Sequence, residues 1–317
     1  MIHTRLAPLA ALALGVAPAS AQTQLPIAPE RMPFVVVGDP GNPGDTGGLG
    51  RVSYTYLIGK TEVTNREYAE LLNAKARLSD PFELFDSEMT FDPRGGILRA
   101  GSGTPADPYR YAPKPDMAQK PVNFVSLFDA MRYVNWIENG RGAGDTESGS
   151  YTLLGGLPIP TNGDTVTRDP GALHSLPTES EWHKAGHYDP TGFIRYWTYA
   201  TRSHQVPAIA TATATGEVAN PGPNVVNYAS GADWGGLDGH LTSVGSAETE
   251  SFYGCRDMNG NVGEWTEDVF VWSGLFYRVN RGGSFALDES IMQRGHFLIV
   301  RPFVEADWAG FRIVRRR

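Results

Sequence analysis

The chain has 317 residues, 41% of them hydrophobic, with a formal net charge of −8 and a pI near 5.4. That length and apolar content suit one large or two small globular domains with a sizeable core, and they exclude a disordered chain. The acidic balance argues against a nucleic-acid binder, since the only basic cluster is the terminal Arg315, Arg316 and Arg317, which reads as a solvated tail.

The first residues read as a secretory signal. Arg5 supplies positive charge, "LAPLAALALGVAPA" is an apolar run too short to span a bilayer, and Ala19-Ser20-Ala21 forms a small-residue cleavage site before Gln22. The expected layout is a signal peptide over 1–21, a Pro-containing linker over 22–33 and a domain over 34–317. No second long apolar run occurs, so the mature chain is expected to be exported, periplasmic or extracellular, without a membrane span. Cys255 is the only cysteine. No intramolecular disulfide can form, so stability must come from packing or metal. Lying between Gly254 and Arg256, Cys255 reads as a small buried residue rather than a nucleophile.

In chain order, "PFVVVGD" and "SYTYLIGKTEV" read as strands. Thr64 and Glu67 form a capping box for a helix over "NREYAELLNAKA", with Tyr68, Leu71 and Leu72 on one face. Residues 79–119, rich in Pro, Gly and Asp, read as a long loop. Ser126 caps a second helix, Asp129 favours its first turn, and Ala130, Met131, Val134 and Ile137 form its buried stripe, ended by Gly140. After an irregular stretch over 140–175, Thr178 and Glu181 box a third helix. "TATATGE" reads as surface loop, "RVNRGGSF" as a strand entering a glycine turn, and "AGFRIVRRR" as a final strand. Abundant turn residues (37 Gly, 23 Pro) and few helices suggest an α+β fold whose last strand pairs near the first.

Residues 257–264, "DMNGNVGE", fit a polar hairpin turn, a metal loop or part of an active site. Asp257 and Glu264 supply carboxylates, and Gly260 permits tight curling. Serine-hydrolase and phosphate-loop motifs are absent.

Seven stretches, "GKTEVTNREYAELLN", "KPVNFVSLFDAMRYVNWI", "LPTESEW", "NYASGAD", "VGSAETESFYGCRDMNGNVGEWTED", "RGGSF" and "GFRIV", together resemble, in this order, the sulfatase-modifying-factor domain of the formylglycine-generating enzymes, over roughly residues 34 to 315. The resemblance implies a complex α+β fold, a C-type-lectin variant low in regular secondary structure, with bound calcium. It also implies oxidation of a sulfatase cysteine by oxygen and copper(I) held by two cysteines. With Gly282-Gly283-Ser284 fixing the register, those two positions are Leu287 and Met292, and neither forms a thiolate. Copper is therefore not expected. Iron is not expected either. His183 and His187 share a helix face with Glu181 and Asp189 near in sequence, but the iron-using relatives take their histidines largely from a separate helical domain, and the pair reads as an exposed one. His174, His204, His240 and His296 show no metal spacing.

Matching positions imply calcium at Asp257 and Glu264 through side chains and at Gly260 and Val262 through carbonyls. A second calcium is implied at Asn227 and Asp238 through side chains and at Tyr228 and His240 through carbonyls. The departure is Gly263, where the family usually places Trp, which leaves space beside the groove. Ser284, Asp288, Glu289, Arg294, His296 and Arg301 could do acid–base work in a groove or be salt-bridged surface. The expectation is a calcium-stabilised binding module using the groove around Leu287 to Arg301 for a peptide, protein or glycan. The alternative is an oxidoreductase acting on a protein or thiol substrate.

Overall fold

The computed structural model describes residues 32–155 and 158–317. The signal-peptide reading of 1–21, and the linker up to Arg31, lie outside the described residues. Residues 32–317 form one compact unit.

The regular elements are β1 (Phe34–Val37), β2 (Tyr56–Gly59), α1 (Asn65–Lys75), α2 (Glu88–Phe91), β3 (Ile97–Ala100), β4 (Arg110–Pro113), α3 (Leu127–Glu138), β5 (His174–Ser175), α4 (Glu179–His187), β6 (Ala208–Ile209), β7 (Val225–Val226), β8 (Gly263–Trp272), β9 (Leu275–Arg281), β10 (Leu298–Val300), β11 (Ala309–Gly310) and β12 (Val314–Arg316). This is the α+β architecture expected, mostly loop. Residues 79–119 depart from the expected plain loop: they contain α2 and the β3–β4 hairpin.

Three helices begin with a complete capping box, Thr64/Glu67, Ser126/Asp129 and Thr178/Glu181. In each, the hydroxyl accepts the amide three residues on while the carboxylate accepts the cap amide, so two otherwise orphaned donors are satisfied. α3 differs from the expected amphipathic helix. Every residue from Leu127 to Trp136 is buried, so it runs through the core rather than along its edge. Its polar members need partners there. Arg132 pairs with Glu147 at 2.8 Å, and Asn135 donates to the carbonyls of Thr146 and Tyr151.

One sheet has the order β1-β2-β12-β5, so the last strand lies beside the second and two places from the first. The other has the order β10-β9-β8-β11. β8 and β9 form a hairpin through Ser273-Gly274, whose φ values of 51° and 75° are those of a tight turn matching the strand twist. The expected final strand "AGFRIVRRR" is split: β11 pairs with β8 and β12 with β2 and β5, in different sheets. The largest core cluster packs α1 and α3 against Trp265, Phe311 and Ile313.

Arg312, between the two final strands, is wholly buried. Its guanidinium grips Glu264 on β8 (2.6 Å to Oε1) and donates to the carbonyls of Gly59, Lys60 and Arg256. Glu264 also accepts Trp182 Nε1 from α4 at 2.7 Å. Removing one partner of such a pair strands the other charge without water. Glu264→Ala should cost about 3–5 kcal/mol of unfolding free energy in denaturant titration, whereas Asp107→Ala, in the exposed Arg110 pair, should cost under about 1 kcal/mol.

Candidate functional site

α4 is buried from Glu181 onward, and this corrects the expected exposure of its two histidines. His183 and His187 are 0% and 1% exposed. Arg281 NH2 lies 2.8 Å from His183 Nδ1. A guanidinium only donates, so Nδ1 accepts and the ring proton sits on Nε2, 3.1 Å from Asp45 Oδ2. Asp45 Oδ1 accepts the amides of Gly47 and Leu49. The Arg281–His183 bond ties β9 to α4, while His183 Nε2 lies near Asp45 without a hydrogen bond to it. His187 Nδ1 faces the carbonyl of Trp197 at 3.2 Å, so it donates, and its Nε2 lone pair has no hydrogen-bond partner among the described residues. Burial first holds both imidazoles well below the ordinary histidine range, followed by Arg281 and Arg294 for His183, and by His183 and Arg281 for His187.

Above this cluster lies a groove of about 300 Å³ lined by Gly44, Asp45, Thr46, Ile194, Arg195, Tyr196 and Arg294. One guanidinium nitrogen of Arg294 donates to the Tyr196 carbonyl. Its other nitrogens have no partner among the described residues.

The remaining groove candidates are scattered in role. Ser284 is buried, and its hydroxyl has no partner among the described residues. Asp288 is exposed and caps Ser290, whose hydroxyl and amide hold its carboxyl below the usual range. His296 is exposed and its ring meets the Ser290 carbonyl. Arg301 stands over the rings of Tyr277 and Phe303, at 5.7 and 5.2 Å. No hydrogen bond or ion pair among the described residues joins any two of Ser284, Asp288, Arg294, His296 and Arg301. The structure therefore brings only Arg294 into the groove and assembles no acid–base set from the five. Leu287 is half-buried, and Met292 is packed with Tyr199, Val226 and Tyr228. Cys255 is buried as expected, and burial pushes its thiol up to about 11, which leaves it unreactive at neutral pH.

The two candidate calcium loops lie against each other. Gly260 (φ +73°) approaches so closely that a Cβ there would stand 2.2 Å from the Asn227 carbonyl oxygen, and Asn261 N donates to the same oxygen at 2.8 Å. In the second loop the Asn227 amide nitrogen donates to the His240 carbonyl at 2.8 Å, so two implied ligands satisfy each other. Arg94 donates to the carbonyls of Asp238 and Gly239. Burial, then Arg94, Lys120 and Lys114, push His240 down to about 4. Arg94, Lys120 and Lys114 bring positive charge towards this loop, while Asn227 Oδ1, the implied side-chain ligand, is buried without a hydrogen-bond partner among the described residues. The first loop differs in charge. Glu62 is fully buried with one carboxylate oxygen unpartnered, and burial followed by Asp257 raises its pKa well above normal. Glu62, Asp257 and Glu264 set three carboxyl groups against the guanidinium of buried Arg312, with Arg256 also acting on Asp257. Glu264, however, is already taken by Arg312 and Trp182. Among the described residues no three His, Cys, Asp or Glu side chains converge as a ready metal cage. Gly263 does not leave the expected space, because a Cβ there would lie 2.1 Å from Asn280 Oδ1, and the Asn280 side chain fills the position.

The model of the sulfatase-modifying factor enzyme 1-like domain matches residues 51–317. The chain belongs to this family. Hercynine oxygenase of Mycolicibacterium smegmatis is 24% identical over 269 residues, which cover 75% of this chain and 48% of that protein. The hercynine oxygenase of Mycobacterium tuberculosis is 25% identical over 285 residues, covering 81% and 52%. The chain thus spans about half the length of the curated relatives it matches. Treponema denticola variable protein 1 shares the fold, with a TM-score of 0.55 at 19% identity over 90% of this chain and 95% of that one. CarF does likewise, at 0.55 and 21% over 90% and 98%.

Sequence reasoning missed the strap over 188–204, which forms one wall of the groove. Its signal was available: the aromatics Tyr196, Trp197 and Tyr199 lie between Arg195 and Arg202 after a Pro-Thr-Gly turn.

Neutral burial of His187 has a pH consequence. Unfolded, it binds a proton near pH 6.5; folded, it binds one only far lower, so its contribution is present above about 6.5 and is lost as pH falls. The stability gap between the wild type and His187→Gln, from urea midpoints, should therefore be larger at pH 8 than at pH 5.

Proposed function

We propose that this family member is a binding module that holds an acidic peptide segment in the groove between Asp45 and Arg294. The observation that carries the reading is the charge of that groove. Arg195 and Arg294 line it against a single acid, Asp45, whose Oδ1 is held by the amides of Gly47 and Leu49. Arg294 is held by Tyr196 and keeps donors to spare, so a carboxylate can meet a pre-set fork. Exposed Ile194 and Phe193, at 55% and 105%, add apolar surface at the rim. Fluorescence anisotropy with a labelled Asp/Glu-rich peptide should give saturable binding that weakens with salt and falls about tenfold or more in Arg294→Ala. Equal affinity in that variant would refute the assignment.

The second reading is an oxidoreductase acting on a protein or thiol substrate, favoured by the match to two oxygenases. The formylglycine route needs thiolates where Leu287 and Met292 stand. Incubation with copper(I), oxygen and a cysteine peptide should give no formylglycine by mass spectrometry, and turnover would restore the redox reading.

Calcium at the first loop belongs to the same proposal. Asp257 and the carbonyls of Gly260 and Val262 would hold it, with Glu264 sharing with the ion an oxygen it already gives to Arg312 or Trp182, and the ion would offset the carboxyl groups beside Glu62. Calcium should raise Tm, EGTA should lower it, and Asp257→Asn should flatten both responses. A Tm indifferent to both reagents would remove the ion.

A further inference from the structure

The strap 188–204 has a second side. Beyond Tyr196 it forms the wall of another groove, of about 410 Å³, whose lining includes Trp197, Thr201, Arg202, Glu248 and Glu250.

Trp197 is held there by four contacts. Its amide donates to the His187 carbonyl at 2.9 Å, and His187 Nδ1 donates back to the Trp197 carbonyl. Its indole N–H is held by Asp189 Oδ2 at 3.2 Å, and its ring leans on His204 at 4.7 Å. Asp189 is buried and also binds the amide and hydroxyl of Thr191, so this anchor cannot swing. An indole held this firmly and still half-exposed is a pre-set stacking surface, which loses little entropy when a flat ligand lands on it.

The polar groups around it nearly cancel in charge. Glu250 is neutralised by Lys60 at 3.2 Å and Arg256 at 2.7 Å. Arg202 and Glu248 then leave one positive and one negative group, both exposed. The Glu248 carboxylate has no hydrogen bond or ion pair among the described residues. Arg202 reaches only the 4.0 Å contact with Asp189 and the face of Phe252. Both residues are held at left-handed φ, 57° and 60°, a strain that non-glycine residues carry only where the surroundings impose it.

We propose that this groove binds a neutral oligosaccharide, with one sugar ring stacked on Trp197 and its hydroxyls shared between Arg202 and Glu248. A pyranose ring has an apolar C–H face that packs on an aromatic surface. Its vicinal hydroxyls both donate and accept, and so satisfy a carboxylate and a guanidinium together. An anionic ligand would meet the unpaired carboxylate of Glu248, and a purely apolar one would leave Arg202 and Glu248 desolvated without partners. The inference goes beyond the acidic-peptide reading and uses a different groove, so either can fail alone.

The test is calorimetric and fluorescence titration of the full chain with maltohexaose, cellohexaose, mannohexaose, xylohexaose and chitohexaose. At least one should bind saturably with a shift in tryptophan emission. Trp197→Ala should weaken that binding at least tenfold, Arg202→Ala and Glu248→Gln severalfold each, and Trp197→Phe should retain most of it. Arg294→Ala should leave it unchanged. If Trp197→Ala does not fold, the Arg202→Ala/Glu248→Gln double variant, both surface changes, decides in its place. Failure of all five sugars to bind at about 10 mM, wild-type affinity in the Trp197 or double variant, or binding of acidic sugars or peptides only at this groove would overturn the proposal.

Discussion

Burying a full charge is expensive, and the structure does it with Arg312 at the point where its parts converge. The guanidinium is tolerable there because each of its nitrogens has an acceptor: the Glu264 carboxylate, the end of β2 and the loop leading to Asp257. Glu264 passes the constraint on to α4 through Trp182. α4 in turn carries His183, which lies against Asp45, and His187, which bonds the backbone of Trp197. Both grooves therefore inherit their geometry from one ion pair that neither of them touches.

The strap between the grooves shows how a fold with so little regular structure keeps loops in place. Backbone groups of Trp197, Asp189 and Tyr199 are paired with His187, Arg195 and Ser203, so the segment is bonded along its length although it contains no strand. Positioning by such bonds leaves side chains free to differ without disturbing the scaffold. That is consistent with a family in which relatives at 24% and 25% identity keep one domain.

Local signals were legible in the sequence, and long-range ones were not. Capping needs only residues three apart: the boxes at Thr64 and Thr178 formed as expected, and the Ser126 cap formed with Asp129 completing a box where the pattern pointed only to a favourable first turn. The pairing of the last strand near the first also followed from pattern. The exposure assigned to His183 and His187 failed because their cover comes from Asp45, Arg281 and Trp197, and no helical periodicity reports on the first two. α3 looked amphipathic because Arg132 and Asn135 are polar, yet Glu147 and the 146–151 carbonyls satisfy them inside the core. Of the groove candidates only Arg294 lines the groove, since residue type in the glycine-turn segment gave no direction for the side chains.

The position of β12 between β2 and β5 bears on how the chain reaches this state. Val314 pairs with Ile58, so a central strand of the first sheet is made from residues near the far end of the sequence. Until it docks, β2 presents an open edge and Arg312 has no cavity to enter. Loop closure over most of the chain must precede the contacts that reward it, which makes completion of this sheet a late and slow event. During that interval the nascent protein depends on whatever shields the unpaired edge of β2, and this sheet cannot be completed before β12 has been synthesised.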